Sequence, residues 1–489
     1  MKKIKYLFIL ITSIIIFNSC DPDEINTSND LKINFSSDTI SFDTVFTTIG
    51  SSTKKFKIYN SDKNAIIISS IKLSGGENSA FKFNIDGHKG PEIKNIRIEG
   101  KDSCFGFIQV YVNPNNSNSP IIIEDSIEFF LNNTKKRLYL NAWGQDIHLI
   151  RDSLLKTQTW IADKPYVLYD AVLVDSNATL TIEEGVTIYM HKNMWFGVNG
   201  TLVVNGTKDR PVIFRGDRRD YSNYYPPVPY DVIPGQWNEI RFTNSSKGNK
   251  INYAEIRNGQ FGIIAGIYDK PGQAEVEISN TKIYNHGYTA LFGIKARITA
   301  WNCVFANSGL ATFMCTQGGN YSFYHCTFAN YSAFGIKGSY AAYLRNYTII
   351  DSVAGDPKTK KIYYGELENA YFGNCILYGE IENVVFLDSN PNHLFEYKFE
   401  NCLIKGTTDK LNISDQQRFV KTKISNKDEV GFVKIDKESY YYDFRLTRTS
   451  IARESGSIDI ASQYPLDLLG NNRLEDGNPD IGAYEYIPE

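Results

Sequence analysis

The sequence predicts an all-β protein, an N-terminal β-sandwich followed by a parallel β-helix. Three observations lead there. Tyr (32) and Phe (29) are abundant beside many Ile, Thr and Val, residues that suit pleated, half-buried surfaces, while 36 Gly and frequent Asn supply turns. Short alternating segments crowd the stretch from Ile33 to Asp146. Beyond it, a phrase centred on Asn returns at intervals of roughly 20–30 residues, the mark of a solenoid.

The chain opens with Lys2, Lys3 and Lys5, then an apolar run from Tyr6 to Phe17, then Asn18-Ser19-Cys20. Charge, apolar run and small residues in that order form an export signal, too short for the about 20 residues a membrane helix needs. A cysteine at the cleavage point resembles a bacterial lipoprotein signal. The resemblance implies a signal peptide over 1–19 and a mature chain carrying diacylglycerol on Cys20. Several acyl chains hold such a protein stably where one holds it only marginally. Asp21-Pro22-Asp23-Glu24 begins a solvated linker over 20–31. In some Gram-negative bacteria an acidic run at this place looks like the address for the outer face of the outer membrane. The expected location is therefore a lipid anchor on the outer membrane, facing the cell exterior.

Strands are expected at Thr39–Phe46, Lys55–Tyr59, Ala65–Leu73, Phe81–Ile85, Asn95–Glu99, Phe105–Val112, Ile121–Leu131 and Lys136–Ala142. Alternation is clearest in Phe56-Lys57-Ile58-Tyr59 and Phe81-Lys82-Phe83-Asn84-Ile85. That many short strands argue for an immunoglobulin-like sandwich over 32–147, a module that commonly serves as a spacer. The Cys…Trp…Cys framework of true immunoglobulin domains is missing. Lys101-Asp102-Ser103 and Asp125-Ser126 are expected to cap turns.

The helix is expected over 160–489. Ala178–Ile188 and Gly200–Thr207 alternate between glycine-bounded corners and mark its start. Ile256-Arg257-Asn258-Gly259 returns as Ile283-Tyr284-Asn285-His286-Gly287, as Phe305-Ala306-Asn307-Ser308-Gly309 and as Phe328-Ala329-Asn330. A second phrase runs through Asn280-Thr281, Asn302-Cys303, His325-Cys326, Asn346-Tyr347, Asn374-Cys375 and Asn401-Cys402, at offsets of 22, 23, 21, 28 and 27 residues. Coils lie about 4.8 Å apart, so equivalent residues stack. Asn accepts the left-handed backbone of a tight corner, and its amide can bond the Asn of the next coil. The Cys or Thr that follows points inward as a small apolar plug. Cys303 and Cys326 are expected to be free and buried, since parallel side chains need not reach the torsion of a bridge.

These phrases resemble the right-handed parallel β-helix proteins of the pectate-lyase-like superfamily. The ending, Asn478-Pro479-Asp480-Ile481-Gly482-Ala483-Tyr484-Glu485, with Asp467, Gly470, Asn472 and Arg473, resembles the closing motif of the choice-of-anchor Q group. The resemblance covers about two thirds of the chain. It implies a right-handed helix closed by 465–489, in a superfamily that holds polysaccharide lyases, hydrolases and members without known activity.

Lyase chemistry of that kind needs an Arg or Lys base, with acidic residues and usually calcium to neutralise a uronate. Hydrolases of the superfamily use clustered Asp. Here the nearest pieces are Asn280-Thr281-Lys282 and Asn285-His286-Gly287. Lys282 stands in place of the Asp, and the His-Gly pair is expected to be a turn. The most site-like stretch is a loop running from Arg215 to Asp231 that interrupts the coils. Long loops in compact domains tend to carry function. Arg218, Asp217 and Asp220 are the candidate catalytic residues. Tyr221, Tyr224, Tyr225, Tyr230 and Arg219 are the candidate ligand contacts, because tyrosine faces stack on sugar rings and Arg–Asp pairs bond hydroxyls. Tyr440-Tyr441-Tyr442-Asp443 is a second candidate, expected as the last strand. Asp356-Pro357-Lys358-Thr359-Lys360-Lys361 is a basic loop between coils.

Formal charge is −3, from 52 basic and 55 acidic residues, which gives no electrostatic reason to expect nucleic acid. Seven cysteines and six histidines form no zinc-spaced cluster, so no metal site is expected. The expected function is a surface lipoprotein that binds glycan or a protein partner without catalysis. The alternative is a lyase or glycoside hydrolase acting on acidic polysaccharide, with calcium as the cofactor if a lyase.

Overall fold

A computed structural model describes residues 24–30, 33–114, 118, 120–222, 224–335, 339–351, 360–409, 411 and 415–488. The signal stretch, Cys20, most of the acidic run and positions 356–359 of the basic loop lie outside them. Among the described residues no helix is long and apolar enough to cross a membrane. The chain divides into two compact units, 1–147 and 148–489.

The first unit is a sandwich of two five-stranded sheets. One runs Ile33–Phe35, Lys54–Asn60, Ser103–Val110, Phe81–Ile85, His88–Lys89 in spatial order. The other runs Thr39–Phe46, Thr134–Gln145, Ile121–Leu131, Ile66–Leu73, Glu92–Ile98. All pairs are antiparallel except that of Thr39–Phe46 with Thr134–Gln145. Alternation decides which side chains enter: Phe81, Phe83 and Ile85 are buried while Lys82 is exposed. They meet Ile68, Ile71, Phe129 and Leu138 of the opposite sheet in one apolar core. Two strands had no sequence signal, Ile33–Phe35 and His88–Lys89, being too short to alternate visibly. Asp125 accepts hydrogen bonds from Gly75 N at 3.1 Å and Ser79 Oγ at 2.5 Å, a turn-capping role as expected.

The second unit is a parallel β-helix whose ladder begins at His148. Each coil crosses three faces. Lys282–His286 lies on the first, and Thr289–Trp301 bends across the second and third. Val304–Ser308 then returns to the first, one rung on. One inward column runs Tyr166, Ile188, Phe214, Ile256, Ile283, Phe305, Phe328, Leu377, Ile404, Ile424, partner to partner along the first face. On the third face Phe323, Phe372, Phe399 and Phe419 stack at ring distances of 5.0, 4.8 and 5.4 Å. The repeat therefore converts directly into a continuous apolar core.

The corner before the first face shows why the phrase is spelled with Asn. Asn280, Asn302, His325, Asn374 and Asn401 have φ of 48, 53, 48, 52 and 50°. That left-handed backbone is costly for most side chains and mildest for Asn. The amides also connect: Asn302 Nδ2 donates to Asn280 Oδ1 at 3.1 Å, and Asn374 Nδ2 lies 3.0 Å from His325 Nε2. The next position is Thr281, Cys303, Cys326, Cys375, Cys402. Each donates to the carbonyl two residues back, over 2.7 to 3.5 Å. The four thiols are free and buried, as was expected of Cys303 and Cys326.

Asn346 does not belong to this column. Its side chain bonds the carbonyls of Asn390, His393 and Leu394 at the root of a hairpin, Tyr347–Asp351 with Lys360–Tyr364, that interrupts one coil. The offsets of 21 and 28 residues are thus one coil carrying an insertion.

The C-terminal segment lies along the side of the coils. The hairpin Phe432–Asp436 with Tyr441–Leu446 and residues 465–486 cover the outside of the first face, while the short helix Ile458–Gln463 leads into Tyr464, which lies against Trp301 and Tyr324 at the end of the third. Its backbone reads the Asn column rung by rung. Asn302 Nδ2 donates to Leu466 O, Gly482 N to Asn374 O, and Asn401 Nδ2 to Ser455 O. Asn374 and Ser457 exchange two bonds, at 3.1 and 2.7 Å. Replacing Asn374 by Ala removes both and puts a residue less tolerant than Asn on left-handed backbone. The expected loss is about 1 kcal/mol from each bond with a smaller addition from the backbone, read as a lower thermal midpoint.

Candidate functional site

The loop from Arg215 to Asp231 leaves the first face after Val212–Gly216 and rejoins the coils before Ile240–Phe242. The three candidate catalytic residues do not converge. Asp217 turns to His191, with Oδ2 2.6 Å from Nδ1, and His191 stacks on Tyr169 at 3.9 Å. Arg218 instead forms a bidentate pair with Asp220, both contacts 2.6 Å, and lies 4.0 Å over the Tyr230 ring. That pairing raises the Arg218 guanidinium above its ordinary value. Burial lowers the Arg215 guanidinium, and Arg257 and, least, Arg219 act in the same direction. Tyr221, Tyr224 and Tyr225 are 63, 66 and 100 % exposed.

The end of the same loop reaches a different place. Asp231 and Val232 form one wall of a cavity of about 590 Å³ on the outside of the first face. Its floor comes from consecutive rungs, where Glu255 lies opposite Lys282 and Arg257 opposite Tyr284. The far wall is the second candidate, Tyr440 to Asp443, continued by Phe444 and Arg445. Phe334 stacks on Tyr440 at 5.4 Å. Leu469 and Tyr484 of the C-terminal segment complete the lining.

The cations of the cavity each meet a carboxylate. Arg257 is 3.3 Å from Asp231, Lys282 3.7 Å from Glu255, and Arg445 2.6 Å from Asp443. Asp231 also holds Arg215 at 2.7 Å. Burial would raise the Asp443 carboxyl, but the bonds from Arg445 hold it below its usual range. Arg257 donates to the Tyr284 hydroxyl at 3.0 Å, while its Nε is buried without an acceptor. Burial pushes the Tyr284 phenol up to about 12, so it stays a neutral donor. His286 ends the strand Lys282–His286 instead of forming the expected turn; its Nε2 lies 3.1 Å from Ile256 O, and burial lowers it to about 4, so it is neutral. Among the described residues no group of three or more His, Cys, Asp or Glu is placed to hold a metal ion.

The arrangement offers aromatic faces between alternating donors and acceptors. Glu255, Arg257, Lys282 and Tyr284 were not singled out from sequence. Their signal lay inside the repeat: the outward positions beside the inward Ile256 and Ile283 are charged or aromatic on two successive coils, then become Val304 and Ala306 on the third.

No family model and no curated protein matches the chain. Among solved structures, a family 123 glycoside hydrolase from Clostridium perfringens, analysed for glycolipid glycan hydrolysis, aligns at 13 % identity. The alignment covers 24 % of this chain and 30 % of that enzyme, with a TM-score of 0.17. So slight a likeness carries neither fold nor function.

Proposed function

We propose that the β-helix unit binds a saccharide in the cavity between its first face and the Tyr440–Arg445 hairpin, without catalysis. The observation that carries this is the lining itself. Tyr284, Phe334, Tyr440, Tyr441, Tyr442 and Tyr484 surround three Arg/Lys–carboxylate pairs. Sugars present apolar ring faces and a rim of hydroxyls, which such walls match. A cation already engaged by a carboxylate orients hydroxyls well and serves poorly as a base. The exposed Tyr221, Tyr224 and Tyr225, on the loop that ends at Asp231, are outer contacts for a longer glycan.

The wider reading is a lipoprotein anchored through Cys20 to the outer membrane and displayed on the cell surface, with an immunoglobulin-like spacer. Passing the purified protein over acidic and neutral polysaccharides with calcium present tests the proposal. Retention without new reducing ends or unsaturated uronate is the expected result. Cleavage that disappears in Arg218→Ala would instead establish a lyase or hydrolase built on Arg218, Asp217 and Asp220. Labelling of intact cells by an impermeant reagent tests the location, and protection of the protein there would contradict it.

A further inference from the structure

Beneath the C-terminal segment, three carboxylates surround one guanidinium. Asp467, Asp480, Glu485 and Arg473 are all buried, Arg473 completely. Asp467 and Asp480 are well supplied with donors. The first accepts the N–H groups of Leu469, Asn471 and Glu485, the second those of Glu454 and Tyr486. Glu485 accepts the Asp480 N–H at 3.0 and 3.2 Å and a longer contact from Arg473 Nη1 at 3.4 Å. Arg473 spends Nη2 on Asn302 Oδ1 at 3.0 Å, and its Nε is buried without an acceptor.

Three buried carboxylates against one buried cation leave an excess of two negative charges, which a proton on one carboxyl halves. Glu485 has the weakest set of donors and is the natural holder. The other charged groups facing the cluster do not relieve that excess. Arg453 pairs with Glu454 at 3.0 Å, and Asp476 adds negative charge. From the coils, His325 is kept neutral by burial and by Arg473 beside it. Burial, followed by the neighbouring Asp480, pushes the Glu485 carboxyl up to about 8 against the pull of Arg473.

This cluster adjoins the cavity. Tyr484 precedes Glu485, Leu469 follows Asp467 by two residues, and both line the cavity. Glu485 N donates to Asp467 Oδ2 at 2.9 Å, and Ala483 N to Thr327 Oγ1 at 3.0 Å, so the segment is tied to itself and to a coil. Tyr484 and Ala483 pack with Phe444 of the hairpin.

We propose that a proton held on Glu485 within this carboxylate cluster latches the C-terminal segment onto the coils and fixes the cavity wall made by Tyr484, Leu469 and the hairpin. The proposal deepens the saccharide reading by giving its site a regulator, and its test needs no saccharide.

With a raised native carboxyl, the latched state binds more protons than the released one. Its stabilisation is complete below the ordinary carboxyl range and is lost as pH rises through about 8. Amide exchange in the intact protein, corrected for intrinsic rates, reads this at 481–486 and at 441–446. Protection in both segments is expected to fall by up to about tenfold per pH unit between roughly pH 5 and 8, then level off. Glu485→Gln, which cannot ionise, is expected to give a flat profile. A flat wild-type profile overturns the latch whether or not the variant folds, and so does a variant that keeps the wild-type slope. Either result leaves the saccharide proposal intact. Failure of every polysaccharide to bind would leave the exchange profile as the latch predicts.

Discussion

Replacing Arg473 by Met is expected to destabilise the β-helix unit by about 3–5 kcal/mol, the cost of leaving the buried carboxylates of Asp467 and Asp480 without their cation. Arg473 is completely buried, so solvent cannot screen the carboxylates it leaves behind. It also joins the C-terminal segment to the coils by its bond to Asn302, whose own amide donates to Leu466 O at 2.8 Å. The variant should expose Ile481 and Leu468 from the side cores and lower the denaturant midpoint. Trp301, whose ring lies 5.5 Å from Tyr464, reports release of the segment by fluorescence. An unchanged midpoint in Arg473→Met would mean that the segment does not hold the coils.

Saccharide affinity is expected to fall by about tenfold in Tyr441→Ala and by about ten- to hundredfold in Arg257→Met. The first removes one stacking face, and the second a charged hydrogen-bond donor. Tyr441 is 55 % exposed, so its loss should leave the thermal midpoint unchanged. Arg257 is more deeply set, between Asp231 and Tyr284, and its variant needs the midpoint as a control. Binding that survives both substitutions would place the ligand elsewhere.

The fold was legible because its corners demand particular chemistry. Only a few residues tolerate φ near +50° on successive coils, and the residue after the corner must be small and inward. Asn-Thr and Asn-Cys, with His325-Cys326 on one coil, therefore reappear once per coil from Asn280 to Cys402. Asn346 imitated the phrase because an Asn that gathers three carbonyls at a loop root looks the same in sequence as an Asn at a corner. The C-terminal segment could be recognised by its motif, but not its course along the coils, since nothing local tells Gly482 to meet Asn374.

The cavity was half legible for the same reason. The Arg215–Asp231 loop and Tyr440–Asp443 stood out by composition, yet each seemed a separate feature. What unites them is the register that sets Glu255 against Lys282 and Arg257 against Tyr284, and a C-terminal hairpin folded back over coils nearly two hundred residues earlier. Such contacts depend on coil count, which a single insertion such as the Tyr347–Tyr364 hairpin shifts.

The most direct test sets cavity against loop. Retention of wild type on an immobilised polysaccharide should be compared with that of Tyr441→Ala and of the double variant Tyr224→Ala, Tyr225→Ala. A site in the cavity predicts that Tyr441→Ala loses most of the retention while the loop variant loses less. Full retention by Tyr441→Ala, with none by the loop variant, would contradict it and move the binding site to the exposed tyrosines.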